Sequence, residues 1–280
     1  MIRFLVDSTS DYLPAELEGR NVEFVPLSVT LNGKTYKDGI DISKNDFYEI
    51  LASDESISPK TALPSPEQFL PYFRDAQEKG DDLICILISS ALSGTCQSAL
   101  VAKEIVEYDN IHIVDARTTT HAIRTMLEYG EKLRAEGVSA VEIVEKLEEV
   151  KSRIKIVAPL DTLEYLCRGG RVSRTAATIG GAINLKPVIT VTEEGEVAVI
   201  KKCVGKVKAR SFVVNTLKEE KIDKEFPIYT VYAYGEENCE KFEQAVAKEG
   251  FTVNGRHQIG TTIGAHVGPG AYGVIYVKEK

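Results

Sequence analysis

The segment Leu83-Ile84-Cys85-Ile86-Leu87-Ile88 is an unbroken apolar run that gives way at once to Ser89-Ser90-Ala91-Leu92-Ser93-Gly94-Thr95. A short apolar run bounded by small polar residues reads as a strand buried on both faces. Beyond it Ala99, Leu100, Ala102 and Ile105 recur at helical spacing, so the serine-rich stretch is predicted to carry the chain from strand to helix. Such a junction gathers hydroxyls and unpaired backbone N–H groups where the helix dipole is positive, which suits a small anion. An ordinary helix cap uses the same residue types. Cap and cradle therefore both stand at this point, and the remaining segments are expected to assemble around the junction.

The same alternation repeats along the chain. Ile2 to Val6 reads as a first strand, followed by Asp7-Ser8-Thr9-Ser10-Asp11 and a helix start at Pro14. Val22 to Leu31 alternates as one strand, and Asn32-Gly33 is a hairpin turn. A helix is expected through Phe47, Ile50 and Leu51, then an irregular stretch from Ser58 to Pro66, then a helix capped by Ser65. Ile111 to Asp115 is a further strand, feeding Thr118-Thr119-Thr120 and two amphipathic helices. Near residue 155 the pattern restarts. Strands are predicted at Ile156–Leu160, Pro187–Thr192, Glu196–Cys203 and Tyr229–Tyr234, with helices at Thr162–Leu166, Val207–Leu217 and Cys239–Glu249. A final strand pair is broken by Gly264-Ala265-His266-Val267-Gly268-Pro269-Gly270-Ala271. The expected class is α/β in two domains: residues 1–155 with a largely parallel sheet flanked by helices, and residues 156–280 with a mixed sheet.

A length of 280 residues suits two such domains. The net charge of −8 argues against a nucleic-acid partner, because a polyphosphate needs a basic stripe, but leaves room for a locally held anion. No apolar run approaches the roughly 20 residues that span a bilayer, and Met1 to Asp7 is too short an apolar start for a signal peptide. Stable membrane insertion is not expected, and the location is read as cytoplasmic. Cys85, Cys96, Cys167, Cys203 and Cys239 are widely spaced without a CxxC pair, which reads as reduced, mostly buried thiols. Cys96, near a helix N-terminus, is a candidate for a lowered pKa.

Three groups of residues bear chemistry. Ser93-Gly94-Thr95 is not a nucleophile elbow, since Ala91 stands where a glycine is needed, and the chain has no Gly-Lys-Ser/Thr phosphate loop. His266 lies in a glycine- and proline-rich stretch read as a loop, where it can donate to an anion or act as a base. The other histidines, His112, His121 and His257, read as strand or helix-start residues, and the four together lack metal-ligand spacing. Arg168 and Arg171 flank Gly169-Gly170, as a surface turn or as a guanidinium held for a carboxylate or phosphate.

Taken together, Asp7-Ser8-Thr9-Ser10-Asp11, Lys60-Thr61 with Pro64-Ser65, Ser89-Ser90-x-x-Ser93-Gly94-Thr95 with Gln97-Ser98-Ala99, Gly170-Arg171-Val172 and His266-x-Gly268-Pro269-Gly270-Ala271 resemble the DegV family of bacterial fatty-acid-binding proteins (FakB-like). The matches run in order nearly end to end. The resemblance implies a long-chain fatty acid buried between two α/β domains and no other cofactor. It implies a carboxylate held by Thr61 and Ser93 with His266 nearby and backbone help around Gly94 and Thr95. Arg171 would lie near the head group or the partner surface. The implied partner is a fatty-acid kinase that phosphorylates the carboxylate, the carrier itself turning nothing over. Ala62-Leu63 departs from the polar pair usual in the family, which puts further hydrogen bonding from that loop in doubt. The uncharged run Thr175 to Leu185 is a candidate tunnel wall, or a buried helix packed only on protein.

Two rival readings belong to other classes. One is a hydrolase or acyltransferase with Ser93 as nucleophile, His266 as base and Asp7 or Asp115 as the acidic member. The other is a sugar-binding domain of dihydroxyacetone-kinase type, in which a histidine binds a ketone covalently.

Overall fold

A computed structural model describes residues 1–54, 56–173 and 184–280. The strands are β1 (Ile2–Asp7), β2 (Val22–Val25), β3 (Ser28–Leu31), β4 (Lys34–Lys37), β5 (Lys60–Ala62), β6 (Asp82–Leu87), β7 (Ile111–Asp115), β8 (Ile154–Pro159), β9 (Leu185–Val191), β10 (Val197–Val204), β11 (Tyr229–Tyr232), β12 (Gly255–Gln258) and β13 (Tyr272–Val277). The α/β class is as expected. A four-stranded sheet in the order β2-β1-β6-β7 is parallel throughout. A six-stranded sheet in the order β10-β9-β8-β13-β11-β12 is mixed. β4-β3-β5 form a small antiparallel sheet.

Side-chain alternation explains how the parallel sheet is covered on both faces. Leu5, Leu83, Cys85 and Leu87 point to one face and pack on Phe69 and Phe73 of helix Pro66–Lys79 and on Ala99 and Ala102 of helix Thr95–Val106. Phe4, Val6, Ile84 and Ile86 point to the other, against Ile123 and Met126 of helix His121–Ala135 and Ile143 and Leu147 of helix Ala140–Lys151. That second cluster continues into Ile156, Ala158, Ile189, Val191 and Val231 of the six-stranded sheet. The far face of the mixed sheet is covered by helices Lys206–Glu219 and Glu237–Lys248. One core thus spans both halves of the chain.

Four expectations are corrected. Val22 to Leu31 is two strands in different sheets, because Pro26 between them has no N–H for a central ladder. The stretch read as irregular contains β5, which is three residues long because Pro59 and Pro64 bracket it, and pairs with β3. The last two strands are not neighbours, since β11 lies between β12 and β13. His266 lies not in a loop but on helix Thr261–Val267. Of the run Thr175 to Leu185 expected as a tunnel wall, residues 175–183 lie outside the described residues, while Asn184 and Leu185, which opens β9, are described.

Among the described residues no helix is long and apolar enough to cross a membrane, and no cluster of three or more His, Cys, Asp or Glu has the arrangement of a metal site.

Candidate functional site

The junction from β6 through residues 89–94 into helix Thr95–Val106 has the predicted strand-loop-helix form. β6 ends at Leu87, and Asp7 at the end of β1 accepts the Ile88 N–H at 2.8 Å, so two parallel strands are tied where the loop begins. Ser89 O then accepts the N–H groups of Leu92 and Ser93, each at 3.0 Å, which folds the loop back on itself. Helix Thr95–Val106 starts after Gly94 with no side-chain cap, leaving its first N–H groups uncapped at the loop. The Ser93 and Thr95 hydroxyls are hydrogen-bonded at 2.8 Å.

Thr61 comes from β5, opposite Val29, and its Oγ1 lies 2.9 Å from Nε2 of His266. The other ring nitrogen, Nδ1, is buried without a hydrogen-bond partner. It faces Gly169, where a Cβ would stand 2.1 Å away. Arg171 reaches across the halves, its Nε and Nη2 donating to the Leu92 carbonyl at 3.1 and 3.0 Å and its Nη1 to Gly169 O. Burial, and then the charge of Arg171, push the His266 imidazole down to about 4, so it is neutral at neutral pH.

Thr61, Ser93, His266 and Arg171 line one cavity of about 290 Å³ between the parallel and mixed sheets, close to the lower end of the ~300–1,000 Å³ usual for ligand pockets. Its remaining wall is mostly aliphatic, including Leu27, Leu63, Ile88 and Leu92 from one side and Ile156, Ala158, Ile189, Val191 and Val231 from the other. Gly94 and Thr95 do not line the cavity. Thr95 is fully buried behind Ser93, and Gly94 sits where a Cβ would lie 3.1 Å from Leu63. Thr119, Thr120 and Thr262 join the wall, though nothing in their sequence context marked them for it.

The rival catalytic constellation is not assembled. The hydroxyl paired with His266 is Thr61, while Ser93 is paired with Thr95. Asp7 is engaged by Thr9 and Ile88, and Asp115 by Ser90 and the Arg117 N–H. Cys96 is corrected as well: burial pushes its thiol up to about 12, outweighing the helix N-terminus. Cys85, Cys96, Cys203 and Cys239 are buried, as expected.

Sequence reading also missed a polar network between the halves. Asp11 accepts from His121 Nδ1 at 3.0 Å, from the Thr120 hydroxyl and from the Gly260 N–H at 2.8 Å. Burial acts to raise Asp11, but the hydrogen bond and charge of His121 leave its carboxyl below the usual range. His121 stacks on His257 with ring centroids 4.4 Å apart, and burial pushes His257 down to about 3.

These shifts carry a pH dependence. An unfolded histidine titrates near 6.5, so below that pH the unfolded chain binds protons that His266 and His257 refuse. Stability from His266 is present above pH 6.5 and is lost as pH falls towards 4; His257 extends the loss towards 3. Asp7, raised to about 6 by burial, acts oppositely, its contribution being lost as pH rises through 6. Urea unfolding of His266→Gln across pH 4 to 6.5 is expected to show a shallower acid slope than the parent, by about 3 kcal/mol at most over the range. An unchanged slope would mean that the imidazole is not depressed.

Comparison with known proteins gives a consistent picture. The sequence model of the DegV family, described as uncharacterised, matches residues 1–279. A DegV domain-containing protein of Caldanaerobacter subterraneus subsp. tengcongensis is 36% identical over 280 residues, covering 99% of each chain. Among solved structures, one described as fatty acid binding of a DegV family protein from Thermus thermophilus is 30% identical, with a TM-score of 0.88 over 99% of each chain. A stearic acid-binding protein from Eubacterium ventriosum is 26% identical, with a TM-score of 0.89 over 99% of this chain and 98% of that one.

Proposed function

The chain belongs to the DegV family, and on that premise we propose that it is a carrier that binds a long-chain fatty acid and presents the carboxylate to a fatty-acid kinase. Residues 1–155 supply the carboxylate-binding loops and residues 156–280 close the pocket. The observation that carries this reading is the meeting of Thr61 and His266, 205 residues apart, on the wall of a largely aliphatic cavity that Ser93 and Arg171 also reach. Fatty-acid binding by the Thermus and Eubacterium proteins supports it.

The hydrogen-bond directions follow from the ligand. A carboxylate only accepts, so Thr61 and Ser93 must each turn a proton toward it. Thr61 can do so if His266 Nε2–H donates to its oxygen. The lone pair then falls on Nδ1, the nitrogen with no hydrogen-bond partner against Gly169. Ser93 can do so if the Thr95 hydroxyl donates to it, which gives Thr95 a role behind the wall. Gly94 and the uncapped helix start add positive potential. The Arg171 guanidinium braces the Leu92 and Gly169 carbonyls and contributes its charge from there. The acyl chain, worth roughly 0.8 kcal/mol per buried methylene, supplies most of the affinity, while the donors offset desolvation of the head group.

In the partner's reaction a carboxylate oxygen attacks the terminal phosphorus of ATP, giving acyl phosphate and ADP. The carrier needs only to hold that oxygen accessible and deprotonated. Organic extraction and mass spectrometry of the purified protein are expected to yield a long-chain fatty acid near one per chain. With a fatty-acid kinase and ATP, hydroxylamine should trap the acyl group as a hydroxamate. Absence of bound lipid, together with failure to take up added stearate, would end the carrier reading. Lipid without hydroxamate would remove the kinase.

A further inference from the structure

Gln258 to Thr262 run from the end of β12 into helix Thr261–Val267, which carries His266, and each of these residues is held by a side chain from the first half of the sequence. Lys44 Nζ donates to Gln258 O at 2.8 Å and to Asp11 O at 2.7 Å. The Tyr48 hydroxyl donates to Ile259 O at 3.1 Å, and Asp11 accepts the Gly260 N–H. Asp38 accepts the Thr261 N–H at 3.1 Å and the Thr261 hydroxyl at 2.7 Å on one oxygen, and the Thr262 N–H at 3.2 Å on the other. Asp38 is 2% exposed and Thr261 is fully buried. Gly260 is required here, since a Cβ would lie 2.7 Å from the Asp11 carboxylate.

The helix has no side-chain cap of its own, and orphaned N–H groups of a buried helix start must find acceptors. All three side-chain contacts of Asp38 are donors to it, a set that suits a carboxylate acceptor, and they oppose the burial that pushes this carboxyl up. We propose that Asp38 is a positioning residue for His266, acting across the halves of the molecule by fixing the start of the helix whose last turn presents the imidazole to Thr61. Thr261 and His266 are separated by about 7.5 Å of helix, so a tilt released at the first would shift the second enough to break the 2.9 Å contact with Thr61. The anchoring also makes His266 part of the same body as Thr61 and Ser93.

The inference rests on the carrier reading for its consequence, but its test does not. In protein labelled with ring-15N histidine, Asp38→Ala is expected to shift the His266 resonances, to weaken the Nε2–H signature and to move its titration from about 4 towards 6.5. Stearate affinity should fall about tenfold or more. Ser139→Ala removes a comparable cap from helix Ala140–Lys151; it should lower the melting temperature while leaving His266 and stearate affinity unchanged. Asp38→Asn, which keeps the shape and one acceptor, should fall between parent and Asp38→Ala, and it carries the test if the alanine variant does not fold. His266 resonances unmoved in the folded Asp38 variants would overturn the proposal. Resonances that move in a protein whose parent binds no stearate would uphold the positioning and reject the carrier.

Discussion

Purified from the same cells as its parent, the Thr61→Ala, Ser93→Ala double variant is expected to emerge without bound fatty acid and with an unchanged circular dichroism spectrum. Each hydroxyl removed costs a hydrogen bond to a charged group, roughly 1.5–3 kcal/mol, so the pair should weaken binding about 10²–10⁴-fold. The fold should hold, because neither hydroxyl supports a strand ladder. β5 is paired to β3 through its backbone, and Ser93 keeps its N–H bond to Ser89 O. His266 and Thr95 then lose their hydroxyl partners at the cavity wall, a modest loss of stability of about 1 kcal/mol each. Quantitative extraction of lipid is the measurement, and a double variant that retains the parent's lipid content would sink the proposed head-group site.

Gly169→Ala should be nearly as damaging, by a different route. Gly169 has φ −74 and ψ −12, a conformation any residue adopts without strain, so in isolation the added methyl would be harmless. In this molecule it would stand 2.1 Å from His266 Nδ1 and 2.7 Å from Cε1. The ring must move or the helix must shift, at a cost of about 1–3 kcal/mol for overpacking, and the contact with Thr61 is lost with it. The decisive comparison is a cycle. In a His266→Ala background the same Gly169→Ala change should cost little, giving a coupling of about 1–3 kcal/mol in both unfolding and stearate binding. Additive effects would show that the glycine is needed for something other than room for the imidazole.

Much of the architecture was readable because it is written locally. Leu83 to Ile88 is apolar on both faces, and Ile2 to Val6 and Ile111 to Asp115 are mostly apolar strands followed by helices, so a parallel sheet covered by helices follows. Pro14 and Ser65 mark helix starts where the helices begin. Misreadings cluster where a local signal is overruled from a distance. Gly264, Gly268, Pro269 and Gly270 make a poor helix by propensity, yet residues 261–267 are helical because Asp11 and Asp38 satisfy the chain where the helix begins. Cys96 sits at a helix start that favours the thiolate, but burial in the sheet-helix core wins.

The candidate site divides in the same way. Ser93 and Thr95 stand out from their own surroundings, whereas Thr61 and His266 were singled out through the family resemblance and a glycine-rich context. Their pairing, the glycine that makes room for the ring, and the carboxylate of Asp38 that aims the helix involve residues up to 223 positions apart. By itself the sequence determined the strands, the helix starts and the hydroxyl-rich junction, because burial period, proline and capping act within a few residues. Only the tertiary structure decided which hydroxyl meets which imidazole and where the cavity lies, because those depend on how two sheets built from separate halves pack against each other.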